Sequence, residues 1–135
     1  MRWEDWISSV VPAIKGVSYV PHPPQRIPSG SLPLMYVRAA TSVSGTDNTT
    51  LTRFVTETYG VQIVVLLRPL SLGTVAGTTR EQWEIGTALN EQMREKMPNL
   101  IGSYDTTTEI ITDEASATYP AVVCTVTGVV TFGAT

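Results

Sequence analysis

Cysteine and histidine are almost absent from this chain: one of each, Cys124 and His22, in 135 residues. A single thiol cannot close a disulfide within the chain, so the fold is expected to be held by packing. One His and one Cys make no soft-metal ligand set. A Ser-His-Asp or Cys-His relay would have to be built on His22, which sits in Pro21-His22-Pro23-Pro24 and reads as a surface histidine. Cys124 lies mid-strand on an apolar face and reads as an inert core thiol. Charge is scarce too, at 16% of residues with a net charge of −3. No excess of Lys and Arg is available to neutralise phosphates, which argues against a dedicated nucleic-acid binder. The longest apolar run, residues 61–67, is broken by Gln62 and closed by Arg68 and Pro69. It falls far short of the roughly 18 residues of a membrane helix. Glu4 and Asp5 stand where a signal peptide would carry basic residues. Asn48-Thr49-Thr50 matches a glycosylation acceptor and, without a secretory route, reads as accidental. The expectation is a protein made or assembled in a reducing cytosol.

What is abundant is threonine, 20 of 135 residues, within a chain that is 42% hydrophobic. The length suits one core, so residues 1–135 are read as a single domain. Residues 1–16 form an amphipathic pattern, with Trp3, Ile7, Val10 and Ile14 on one face. Pro12 should end that helix near Val11. Residues 19–33 hold five of the nine prolines, a density that predicts an extended path without helix or sheet. This loop either crosses the surface or serves as an arm that docks a partner.

Period-two alternation begins at Leu34 and predicts a strand over 34–40. Polar residues 41–52 read as a long loop joining it to a second strand, 54–67, in a first hairpin. The second half of that strand is apolar on both sides and should be the more buried. Thr78 with Glu81, and Thr79 with Gln82, form overlapping capping boxes. They open a central helix, 79–97, whose stripe is Ile85, Leu89, Met93 and Met97, flanked by Trp83 and Gly86. Residues 103–112 and 119–132 make a closing hairpin around the turn 113–116. This order predicts an α+β domain: a mixed or antiparallel sheet of about four strands with two helices packed on it.

Chemistry is hard to find in this pattern. Gly73 and Gly77 precede a helix, yet three residues separate them and no lysine follows, so the Walker pattern fails. Asp105 and Glu109 lie four apart on one strand, roughly 13 Å, too far for a glycosidase pair. No catalytic residue, cofactor or metal ligand is predicted, and the chain is not read as an enzyme. Glu57 interrupts an apolar face and is most economically explained by a salt bridge to a neighbouring strand or subunit. Trp3 suits the core, and Trp6 suits an interface anchor.

The order of elements resembles a known family. An N-terminal amphipathic helix (2–11), a hairpin of 34–40 and 54–67, one central helix (79–97) and a closing hairpin (103–112, 119–132) are similar to the tail terminator and tail-completion proteins of long-tailed bacteriophages. The lambda tail-terminator group and the related tail-to-head joining proteins are the nearest in arrangement. The resemblance spans nearly the whole chain and rests on order, size and composition, since that family has no invariant motif. It implies a virion structural protein at the neck end of the tail, assembled in the host cytoplasm. Its copies would form a ring, of six subunits in this family, that caps the tail tube, stops its polymerisation and presents a docking surface to the head connector. The implied partners are other copies of the chain, the tail tube protein, and a head-tail connector or head-completion protein, with no direct nucleic-acid recognition and no membrane.

A closed ring needs two unlike patches on each copy. Seven of the nine basic residues are arginine, the side chain better suited to interfacial ion pairs. Trp6, Arg38, Arg53, Glu57 and Arg68 are the candidate subunit contacts. The competing readings are a head-completion or connector-adaptor protein, a tube-forming tail protein that stacks through a long exposed hairpin, and a small α+β ligand-binding module or enzyme.

Overall fold

The computed structural model describes residues 3–24, 32–40, 44–48, 54–68, 75–96, 102–112 and 117–133. Helix α1 (Trp3–Val10) stops two residues before Pro12, whose ring and missing N–H cannot continue it. A turn follows in which the Val17 amide donates to the Ile14 carbonyl at 3.2 Å. Gly16 takes φ +81° there, a left-handed conformation that side chains resist.

Strand β1 (Ser18–Val20) then pairs parallel to β2 (Leu34–Ala39), with Ser18 opposite Leu34. The expectation that 19–33 excludes sheet is therefore corrected at its start. The prolines begin at Pro21, which leaves three residues free to pair. Pro33, though it has no amide, still accepts the Ser18 N–H at 3.0 Å.

The long strand β4 (Phe54–Leu66) runs antiparallel to β2 over 61–66. Over 54–58 it pairs on the same side with β3 (Ser44–Asn48). Residues 44–48, expected as loop, are thus a strand. Thr and Asn side chains do not forbid extended backbone, and a long partner strand supplies the hydrogen bonds their lack of apolar pattern conceals. Four residues separate Ala39 from Ser44 where two separate Val61 from Thr58, so the outer line gains two residues at this step. On its other side β4 pairs along its whole length with β6 (Thr118–Gly133), and β6 with β5 (Gly102–Thr112). The strand order is β1-β2-β4-β6-β5, with β3 on β4 beyond the end of β2. The α+β class stands, with six strands rather than about four.

Helix α2 (Val75–Lys96) starts before the capping boxes, so Thr78 and Thr79 lie in its first turns rather than at its cap. Leu89 and Met93 are fully buried with Val10, Met35, Ile63 and Cys124 in the core between the helices and one face of the sheet. The opposite face carries its own cluster around Tyr36, Val64, Leu66 and Val123, against which Val20, Leu32 and Ile111 pack. Two apolar faces on one sheet explain why 63–67 is buried throughout, as its unbroken apolar run implied.

Among the described residues the helix layer stops short of one end of the sheet. Thr106 Oγ1 donates to Asn90 Oδ1 at 2.6 Å, and α2 runs on for only six residues to Lys96, about 9 Å. Strand β5 continues four residues from Thr106 to Gly102, about 13 Å. Beyond the Gly102–Gly128 pair the described strands are β3, β4 and β6. This three-stranded arm projects roughly 17 Å further along the strands.

Candidate functional site

The five residues put forward as contacts do not gather into one site. Arg68 is exposed, just past the end of β4. Glu57 lies at the other end of the same strand, its backbone opposite Gly45 on β3 and Val130 on β6. Eleven residues of strand separate the two, about 37 Å. Arg53 lies outside the described residues. Trp6 is placed on α1, and its side chain, like that of Glu57, also lies outside them, so the salt bridge expected of Glu57 does too.

Arg38 is the best defined of the set. It is half-buried on β2, and its Nε donates to Gln62 Oε1 at 2.7 Å. The Gln62 amide in turn donates from Nε2 to Thr125 Oγ1 at 3.2 Å. Register extends this polar row to Asp105 on β5, so it crosses the sheet as Arg38, Gln62, Thr125, Asp105. Tyr36, two residues before Arg38 on the same face, is buried. Burial pushes its hydroxyl pKa above the ordinary value, opposed by the charge and hydrogen bond of Arg38.

The two edges of the sheet differ. On one, β1 covers β2 only as far as Tyr36, so the described strands leave Arg38 on an open edge. Beside β1, residues 11–15 and 17 with Tyr19 and Met35 line an open groove of about 410 Å³. Its walls are aliphatic apart from Tyr19 and Lys15. The charged residues within 11–20 and 34–40 are Lys15 and Arg38, both basic. On the other edge, β5 has β6 on one side and no described strand on the other. Its charged residues are Asp105 and Glu109, both acidic and both exposed. Among the described residues the one ion pair is Arg80–Glu84 on α2, at 3.2 Å. Lys15, Asp105 and Glu109 take no part in it.

Two large apolar side chains stand out beside the acidic edge: Trp83 at 68% exposure and Ile110 at 64%. Trp83 is seven residues before Asn90, nearly two turns, and so shares the flank of α2 that meets Thr106 of β5. Gln82 Nε2 donates to the Ala121 carbonyl at 3.2 Å, and Ala121 is opposite Glu109. The start of α2 therefore overlies the end of β5 that carries Ile110. Sequence reading had placed Trp83 beside the core stripe. The signal for its exposure was its offset of two residues, or about 200°, from Ile85.

His22 is exposed and Cys124 fully buried, as their contexts implied. Burial raises the Cys124 thiol pKa, with a smaller opposing effect from a hydrogen bond to Thr106. Asp105 and Glu109 share β5 at the spacing expected. Of the glycine-rich segment, residues 73 and 74 lie outside the described residues. Among the described residues no group of three His, Cys, Asp or Glu could hold a metal ion, and no helix is long and apolar enough to cross a membrane. No protein-family model matches the chain, and a search of curated proteins finds no match.

Proposed function

We propose that this protein is a virion structural protein of a long-tailed phage, a tail terminator whose copies form a ring at the neck end of the tail tube. The observation that carries the reading is the three-stranded arm beyond the helix layer. It offers an end-on surface that a neighbouring ring can stack against, while the sheet edges that no described strand covers can receive copies side by side. Register puts Thr46, Thr56 and Thr131 in one row of this arm, and Ser44 and Thr58 two rows on. Threonine-rich rows of paired backbone suit a wet interface made late in assembly. The reading assigns the protein no catalysis and no cofactor. Its partners are its own copies, the tube protein, and a connector or head-completion protein.

The same arm favours a second reading, a tube-forming tail protein that stacks through its hairpin. Electron microscopy of the purified protein, alone and mixed with tail tubes, separates the two. Rings of six-fold symmetry on tube ends, with tubes that no longer lengthen, are the expected result. Open tubes formed by the protein alone support the second reading. A monomer that ignores tubes overturns both.

A further inference from the structure

We infer that neighbouring copies join head to tail across the sheet, with Trp83 and the acidic β5 edge of one copy seated on the apolar groove and basic β1/β2 edge of the next. This rests on the ring reading and names its lateral contact.

Charge is the first support. The charges of the edge segments 11–20 and 34–40 are Lys15 and Arg38, and those of the opposite edge strand are Asp105 and Glu109. Like edges therefore repel and unlike edges attract, which selects a heterologous contact over a two-fold one. Register is the second. Tyr19, Met35, Val65, Val122 and Thr108 form one transverse row, which carries the groove across the helix-covered face to β5. The Trp83 corner lies one to two residues along β5 from that row, within about 7 Å. The polar row places Arg38 and Asp105 level on the other face, at opposite edges. A copy displaced sideways by one sheet width, about 19 Å from β1 to β5 plus the contact itself, meets both matches at once.

Chemistry is the third. Aliphatic walls with Tyr19 and Lys15 suit an indole, through aromatic and cation–π contacts. Trp83 is the exposed indole this chain offers among its described side chains, and Arg38 is held in place by its Nε bond to Gln62.

The test is sedimentation equilibrium over rising concentration, on the full chain and two surface variants. Trp83→Ala removes the knob. Ala13→Asp places a like charge on the groove wall. Both residues are exposed, so each variant should keep the far-UV spectrum and melting temperature of the parent. The parent is expected to associate to one closed multiple of 14.6 kDa. Each variant alone should associate at least about 30-fold more weakly, as loss of an anchoring Trp implies. Mixed in equal amounts, they should form a 1:1 dimer and stop there, because one knob and one groove survive per pair. A parent that stays monomeric, a Trp83→Ala protein that assembles like the parent, or a mixture that yields no dimer overturns the inference. Tube mixtures keep the two proposals apart. Rings of Trp83→Ala that still cap tubes sink the lateral contact and spare the terminator. Copies that associate as described while ignoring tubes do the reverse.

Discussion

Gly60 faces Ala40 across the first hairpin, where the Ala40 amide donates to the Gly60 carbonyl at 2.9 Å. A Cβ at position 60 would come within 2.9 Å of the Ala40 Cβ, and neither atom is the free end of a flexible side chain. Gly60→Ala should cost about 1–3 kcal/mol, as overpacking does. Adding Ala40→Gly should recover part of the loss, a coupling that urea titration of the two single variants and the double variant would measure. Protonation is the other residue-scale lever. Tyr36 and Cys124 both have pKa values raised by burial, above 10.0 and 9.0 respectively. An acid whose folded pKa is raised stays protonated after the unfolded chain has ionised. The stability it contributes is whole below the unfolded pKa and is lost as pH rises toward the folded one. Unfolding free energy should therefore fall from about pH 9 upward, by at most about 1.4 kcal/mol per pH unit for each group. Tyr36→Phe should flatten the part of that fall above pH 10, and chemical denaturation across pH 8–11 checks it.

Helix α2 illustrates how an element can be legible in sequence while its limits are not. Leu89 and Met93 recur at a helical period and are buried as that period implied. The capping boxes pointed to a start at 78 or 79, yet the helix begins at Val75. A capping side chain competes with tertiary packing and with strong helix formers such as Ala76, and it does not by itself stop a helix. Gly86 sits in the middle of this helix, and a Cβ there would meet Thr106 and Val122 at 3.8 Å, an ordinary contact. Gly86→Ala should thus stabilise the protein by about 0.5–1 kcal/mol, seen as a rise in melting temperature. The opposite sign at Gly60 makes these two glycines a paired test. Strand β3 was missed for a different reason. Ser44–Asn48 has no apolar alternation, and its pairing is supplied by β4. Strand β1 was hidden by the prolines that follow it. Strands 54–66 and 118–133, by contrast, were found nearly to the residue, because over 61–66 and 119–126 they bury the apolar positions that mark them.

At the scale of the whole molecule, the proposed assembly turns on which edge meets which. Electron microscopy with tubes and sedimentation of the Trp83→Ala protein address that scale directly, since neither asks anything of the isolated fold. Composition already excluded a disulfide within the chain, since Cys124 is the one cysteine. Periodicity alone was enough for the α+β class, the buried stripe of α2 and the apolar faces of the long strands, because burial of one face imposes its spacing on the chain. Placement across the sheet was beyond its reach. Arg38 with Gln62, Lys15 beside the groove, and Trp83 at the corner of β5 depend on strands distant in sequence lying side by side. Strand order and register carry no local signal, so the opposed charges of the two edges emerge only when the chain is folded.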